Sequence, residues 1–253
     1  MIQTRKLMVF DFDGVVCDST NECLVTSWNA WEEWESRSTF RENLDDFNSI
    51  EISFFYKVRP RVKGAGEYYI IRRAFIEGIE INDQETYDFL EEKWREFLNP
   101  FKNVFFIQRE QLRRKNINNW IKLHYIYKDV IQVMKFFNSR NQLYIATLKD
   151  SQSIKIILKN QGLNISQEKL VDQSQIKSKL EALELIGQKT GYSKSEIIFI
   201  DDNITHLIEP YTAGYDVFLT TWGSTIKEYC DLSYKFGIPL LGDCKILIDK
   251  FGE

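Results

Sequence analysis

The first strong pattern in the chain is a continuous apolar run, Leu7-Met8-Val9-Phe10, that stops at Asp11. A run without polar alternation suits a strand buried on both faces, as in a parallel sheet. The same texture returns at Leu143-Tyr144-Ile145-Ala146-Thr147 and at Ile197-Ile198-Phe199-Ile200, which ends at Asp201. It returns again at Asp216-Val217-Phe218-Leu219-Thr220, with a shorter candidate strand at Lys169-Leu170-Val171. Between these runs the period becomes helical. Ser151 to Asn160 reads as a helix closed by Gly162, and Gln175 to Lys189 as another, with Gly191 just past its end. Strands that alternate with helices predict a parallel sheet with right-handed crossovers.

The stretch from about Val15 to about His124 has a different texture. Trp28, Trp31 and Trp34 are spaced by three, and Tyr87, Leu90, Trp94, Phe97 and Leu98 follow a helical stripe. Asn82 or Asp83 is placed to cap that second helix and Pro100 to stop it. Five of the six tryptophans fall in this stretch, and at this spacing they read as helix-packing faces. A Pro- and Gly-containing basic stretch, Lys57 to Gly66, reads as a loop. The segment from Lys57 to Arg73 carries six basic residues against one acid, Glu67, which reads first as a solvated face. The helical stretch therefore interrupts the sheet after its first strand. The predicted division is an α/β core from residues 1–16 and 125–253, with 17–124 as an inserted helical domain.

Composition narrows the class of function. At 253 residues the chain is one large domain or two small ones. Hydrophobic residues at 43% and charged residues at 28% fit an ordered globular protein. A net charge of −4 gives no pull toward nucleic acid. No apolar run has the length of a membrane span, and the first ten residues lack a signal-peptide pattern, so no membrane role and a cytoplasmic location are expected. Cys17, Cys23, Cys230 and Cys244 show neither CxxC pairs nor His/Cys metal spacing, so no zinc site is expected.

The chemistry gathers at strand ends. In open parallel sheets, ligands bind beyond the carboxyl ends of the strands. Asp11-Phe12-Asp13-Gly14 follows the first run directly. Two carboxylates so close repel each other, and a hard cation such as Mg²⁺ would relieve that repulsion. Gly14 lets the backbone turn sharply and come close to an anion. Thr147 ends another strand, and the backbone N–H groups before the next helix are candidates for a phosphate cradle. Lys149 and Asp150 there read as a helix start. Lys179 and the acidic pair Asp201-Asp202 complete the set, with Lys177 competing for the lysine position.

In type, order and strand context these residues resemble the haloacid dehalogenase-like (HAD) phosphohydrolase superfamily. The resemblance implies a Rossmannoid core with a helical cap of the C1 type, and a hydrolase acting on a small phosphorylated metabolite. It implies Asp11 as the nucleophile that forms an aspartyl-phosphate and Asp13 as general acid, then base. It implies Thr147 and Lys179 as phosphoryl-binding groups, with Lys179 favoured over Lys177 because Lys-x-x-x-Leu fits the family's form. Mg²⁺ would sit on Asp11, the Asp13 backbone carbonyl and Asp202, with Asp201 a further possible ligand. Many relatives carry an acidic residue where this chain has His206. Arg59, Arg61 and Lys63 are the candidate specificity residues for an additional anionic group on the substrate. A phosphomutase would share all of these motifs, and a non-catalytic binding protein would share the scaffold. A dehalogenase fits less well, because relatives of that kind usually lack the second aspartate, present here as Asp13.

Overall fold

The structure is a computed structural model and describes residues 5–223 and 225–252. The chain divides into two compact units. One is built from both ends of the chain, Met1–Asp18 with Ile126–Glu253, and the other from Ser19–Tyr125.

In chain order, β1 (Leu7–Phe10) and β2 (Cys17–Asp18) precede the insertion. The insertion holds six helices: α1 (Thr20–Trp34), α2 (Ser49–Val58), α3 (Tyr68–Glu77), α4 (Gln84–Lys93), α5 (Arg95–Lys115) and α6 (Ile117–Lys122). The remainder runs β3 (Tyr125–Ile126), α7 (Lys128–Ser139), β4 (Leu143–Ala146), α8 (Ser151–Asn160), β5 (Leu170–Val171) and α9 (Lys179–Thr190). It ends with β6 (Ile197–Asp201), α10 (Ile204–Thr212), β7 (Asp216–Thr220), α11 (Lys227–Phe236), β8 (Leu240–Leu241) and α12 (Ile246–Phe251).

The core sheet has six strands in the order β5-β4-β1-β6-β7-β8, all parallel. Every residue of β1 and β6 is buried, which is why their sequences show no alternation. The chain builds outward from β1 to β4 and β5, then returns to β6 and builds the other way. The reversal lies beside β1, and this switch point is where open α/β sheets leave a crevice beyond their carboxyl ends. Asp11, Thr147 and Asp201 stand at or just past the ends of three adjacent strands.

The helix expected from Gln175 begins four residues later, at Lys179. Ser178 caps it by accepting the Glu181 N–H, and Glu181 in turn accepts the Lys177 N–H. Ser174 is folded back onto Asp172 through both its N–H and its hydroxyl. Gly191 ends the helix in the left-handed conformation that the reading required.

Within the inserted unit the tryptophans do pack helix against helix. Trp31 lies against Tyr69 and Phe101, and Trp34 against Tyr69, Phe97 and Phe101. Asp83 caps α4 by accepting the Thr86 N–H. Pro100 is not a stop. The break falls at Trp94, and α5 runs through Pro100 for 21 residues. Burial of Phe101, Phe105 and Leu112 along one face of α5 outweighs the one hydrogen bond a proline removes.

The basic stretch is not an open loop either. Lys57 and Val58 finish α2, and Arg59–Arg61 and Ala65–Glu67 are short 3-10 turns. Arg61 and Arg72 are buried, so the stretch is not a solvated face. The unit also encloses an ion pair: Arg109 Nε and an Nη donate to the two Glu22 oxygens at 2.9 Å each, with Thr26 donating to the same carboxylate at 2.7 Å.

Candidate active site

Asp11 follows β1, and its backbone N–H donates to the Ile200 carbonyl of β6 at 2.8 Å. The chain then turns at once. The Val16 N–H donates to the Phe12 carbonyl at 2.8 Å, and Gly14 adopts φ +82°. A side chain would strain that backbone. It would also place a Cβ 1.9 Å from Asp202 Oδ2. Gly223 is as tightly constrained from the far side, since a Cβ there would lie 2.0 Å from the Gly14 carbonyl oxygen. The Trp222 indole N–H donates to the Val15 carbonyl at 3.0 Å, which ties the two turns together. The Asp13-Gly14 turn, the Asp202 carboxylate and the Trp222-Gly223 turn therefore form one close-packed cradle.

Lys179 is the first residue of α9. Helical side chains lean toward the N-terminus of their helix, and this one is buried as it does so. Its ammonium donates to Asp11 Oδ1 at 2.6 Å and to the Ala146 carbonyl at 2.9 Å, and lies 3.2 Å from Asp201 Oδ2. Lys177 is exposed, and of the two lysines it is Lys179 that reaches Asp11.

Asp201 is fully buried. It accepts the Asn203 N–H at 2.9 Å, and His206 Nδ1 lies 3.2 Å from its Oδ2. Burial works against its ionisation, but Lys179 and His206 outweigh that and hold its carboxyl at about 2. His206 shifts in the complementary direction. Burial lowers its pKa, Asp201 raises it more, and the net shift is upward. For Asp11, desolvation outweighs the charge of Lys179, and its pKa is raised.

Lys149 differs from its reading as a plain helix start. It is buried, and its ammonium donates to Asp13 Oδ1 at 3.0 Å. Asp150 is the helix cap, accepting the Ser153 N–H at 2.8 Å. Thr147 Oγ1 accepts the Lys149 N–H at 3.2 Å, which leaves its own hydroxyl proton to be given elsewhere. The Ser151 N–H goes to Asp172 and the Ser153 N–H to Asp150, so the protein's own acceptors already take part of the expected phosphate cradle. Nothing local in the sequence signals this contact, because Lys149 and Asp13 lie 136 residues apart in the chain.

These residues suit a hard cation. Asp11, Asp13, Asp201 and Asp202 carry four negative charges against Lys149, Lys179 and His206, so the cluster is net anionic even with the imidazole protonated. Asp11, Asp201 and His206 also bring one ligand atom each within 4.8 Å of the others. That second grouping is the poorer metal site. Lys179 already bridges its two carboxylates, and the His206 nitrogen faces Asp201.

The candidate specificity residues lie in the inserted unit. Arg61 is buried and donates to the Lys57 and Asn82 carbonyls, each at 3.4 Å. Lys63 pairs with Glu91 at 2.7 Å, and the Arg59 guanidinium lies 5.7 Å from the centre of the Tyr68 ring. Among the described residues no helix is long and apolar enough to cross a membrane.

Three solved structures show how far the fold is shared. A hydrolase from Pseudomonas syringae aligns over 98% of both chains at 14% identity, with a TM-score of 0.62. A predicted phosphatase from Clostridium acetobutylicum covers 98% of both chains at 13% identity, with a TM-score of 0.61. A predicted phosphoglycolate phosphatase from Haemophilus somnus covers 98% of both chains at 15% identity, with a TM-score of 0.63. Among curated protein sequences none matches the chain significantly. The family model for haloacid dehalogenase-like hydrolases matches residues 5–208, a span that takes in Asp11, Asp13, Thr147, Lys179 and the Asp201-Asp202 pair, and the chain belongs to that family.

Proposed function

We propose that the protein is a Mg²⁺-dependent phosphatase that hydrolyses a small phosphate monoester through an aspartyl-phosphate. The observation that carries this reading is the ammonium of Lys179, set between Asp11 and Asp201 at the ends of adjacent strands. It gives one carboxylate a fixed counter-charge and a fixed direction.

In this reading the Asp11 carboxylate attacks phosphorus. Lys179 and the Thr147 hydroxyl hold the phosphoryl oxygens as charge gathers on them. Asp13 gives a proton to the leaving alcohol, then takes one from the water that cleaves the aspartyl-phosphate. Lys149 fixes the direction of the Asp13 carboxylate throughout. Mg²⁺ held by Asp11, Asp202 and the Asp13 carbonyl would offset the repulsion between carboxylate and phosphate. Asp201, engaged by Lys179, His206 and the Asn203 N–H, acts as the support for Lys179. The inserted unit supplies substrate selection in this reading, with Arg59, Arg61 and Lys63 as its candidate residues. Arg59→Ala should raise KM for the true substrate more than for a small aryl phosphate, and an equal effect on both removes that role.

The test is phosphate release from an aryl phosphate, with Mg²⁺ and with chelator, in wild type and Asp11→Asn. The expected result is turnover that requires both the metal and Asp11, with trapped phosphoenzyme in wild type alone. Turnover that survives in purified Asp11→Asn refutes the mechanism.

A further inference from the structure

The Lys179 ammonium has three protons to give, and all three are taken. They go to Asp11 Oδ1 at 2.6 Å, to the Ala146 carbonyl at 2.9 Å and to Asp201 Oδ2 at 3.2 Å. To hold a phosphoryl oxygen as well, the ammonium must release one of them. Among the described residues Lys179 is the one hydrogen-bond donor to the Asp11 carboxylate, so releasing Asp11 would strip the attacking group of its counter-charge. The Asp201 bond is the longest of the three, and Asp201 has other donors.

Those donors are local. The Asn203 N–H reaches Asp201 Oδ1 at 2.9 Å. His206 Nδ1 sits astride the carboxylate, 3.3 Å from Oδ1 and 3.2 Å from Oδ2. Asp201 is ionised at neutral pH and can only accept, so the ring carries a proton on Nδ1 whether it is neutral or charged. The start of α10 sets this contact. Asn203 caps the helix by accepting the Thr205 N–H, and His206 stands in its first turn. The helix dipole disfavours a basic ring there, and Asp201 offsets that. Among the described residues the ring has no other hydrogen-bonding side chain. An acid at position 206, as many relatives carry, would bring Asp201 a second negative charge in place of a donor.

We propose that His206 is a positioning residue that keeps Asp201 satisfied while Lys179 turns a proton from Asp201 to the phosphoryl group. The inference rests on the reading of Lys179 as a phosphoryl-binding group. In this arrangement Asp201 exchanges its long bond to the ammonium for a tighter one to the ring. With the ring removed, Asp201 keeps only Lys179 and one N–H. A buried carboxylate left short of donors is costly, so the ammonium stays with it. Phosphate then binds more weakly, although no group that touches it has been changed.

The experiment measures the dissociation constant of inorganic phosphate by calorimetry, with Mg²⁺ present, in wild type, His206→Leu and His206→Asn. His206→Leu should weaken phosphate binding about 10- to 100-fold, the range of one hydrogen bond to a charged group. His206→Asn, whose amide can give an N–H to the same carboxylate, should stay within about threefold of wild type. The Mg²⁺ dissociation constant should be the same in all three. In wild type the His206 Nδ1–Hδ1 NMR signal, assigned by its loss in His206→Asn, should move downfield and saturate as phosphate is added. That measurement decides the matter if a variant fails to fold. Equal phosphate affinity in wild type and His206→Leu overturns the inference, as does an asparagine variant as weak as the leucine one. A Mg²⁺ affinity that falls as far as the phosphate affinity overturns it too, and so does a ring signal that saturating phosphate leaves in place. A wild type that binds phosphate but releases none from an aryl phosphate refutes the phosphatase reading instead, and the three phosphate affinities still decide this inference.

Discussion

Replacing Gly223 with alanine adds one methyl group and removes no functional atom, yet it should disable the site. The added Cβ would lie 2.0 Å from the Gly14 carbonyl oxygen, 2.9 Å from the Gly14 carbonyl carbon and 3.1 Å from the Asp202 Cβ. Side-chain carbons essentially never approach within 3.0 Å, so the Gly14 peptide must retreat by about 1 Å. It cannot move alone, because the Asp202 carboxylate is packed against Gly14 from the other side. Forced repacking of this kind costs about 1–3 kcal/mol, or roughly 2–12 °C in Tm for a chain of this size. A displacement of about 1 Å at a reacting centre costs on the order of 100-fold in rate. The assay is kcat/KM for phosphate release alongside thermal unfolding, with Gly191→Ala as the control. Gly191 also has a positive φ, +77°, but nothing lies within 4 Å of its missing Cβ, and it closes the far end of α9. It should lose about 1–2 kcal/mol of stability and keep its activity. The reasoning fails if Gly223→Ala keeps kcat/KM within about threefold of wild type, or if Gly191→Ala loses as much activity.

Three further outcomes follow from the geometry. Lys149→Met should lower kcat/KM by about 100-fold on an alkyl phosphate and far less on p-nitrophenyl phosphate, whose leaving group needs little protonation. Equal losses on both substrates would mean that Lys149 does not act through Asp13. Glu22→Gln should cost about 3–5 kcal/mol in urea unfolding, because it leaves Arg109 buried against a neutral group, and a loss below about 1 kcal/mol would contradict that pairing. Asp172 accepts the Ser151 N–H, the Ser174 N–H and the Ser174 hydroxyl, at 2.9, 3.0 and 2.6 Å. Burial pushes its pKa up, but those bonds outweigh it, and the net shift is downward. A depressed carboxyl stabilises the fold above its unfolded pKa and loses that contribution as the pH falls through its folded one. The stability gap between wild type and Asp172→Asn should therefore be widest near neutrality and narrow below about pH 4; a gap unchanged from pH 7 to pH 3 would refute the assignment.

The parts of this molecule that were legible in the sequence are those whose signal is local. β1 and β6 are runs buried on both faces and β4 is nearly so, and nothing distant is needed to recognise such a run. Asp11, Thr147 and Asp201 follow from the same runs, because a polar residue that ends a doubly buried strand has one place to be. What was not legible depended on partners far along the chain. The two-residue strand β8 exists only because β7 offers it an edge. Lys149 and Asp13 are 136 residues apart in the chain, and only the parallel pairing of β4 with β1 brings their loops together. Pro100 failed as a stop because the apolar face of α5, which no local rule weighs, decides where that helix runs. The basic stretch failed as a surface for the same reason. Composition counts its charges, but only the fold shows that Arg61 is buried and bonded to the Lys57 and Asn82 carbonyls, and that Arg72, from the same run of sequence, is buried as well.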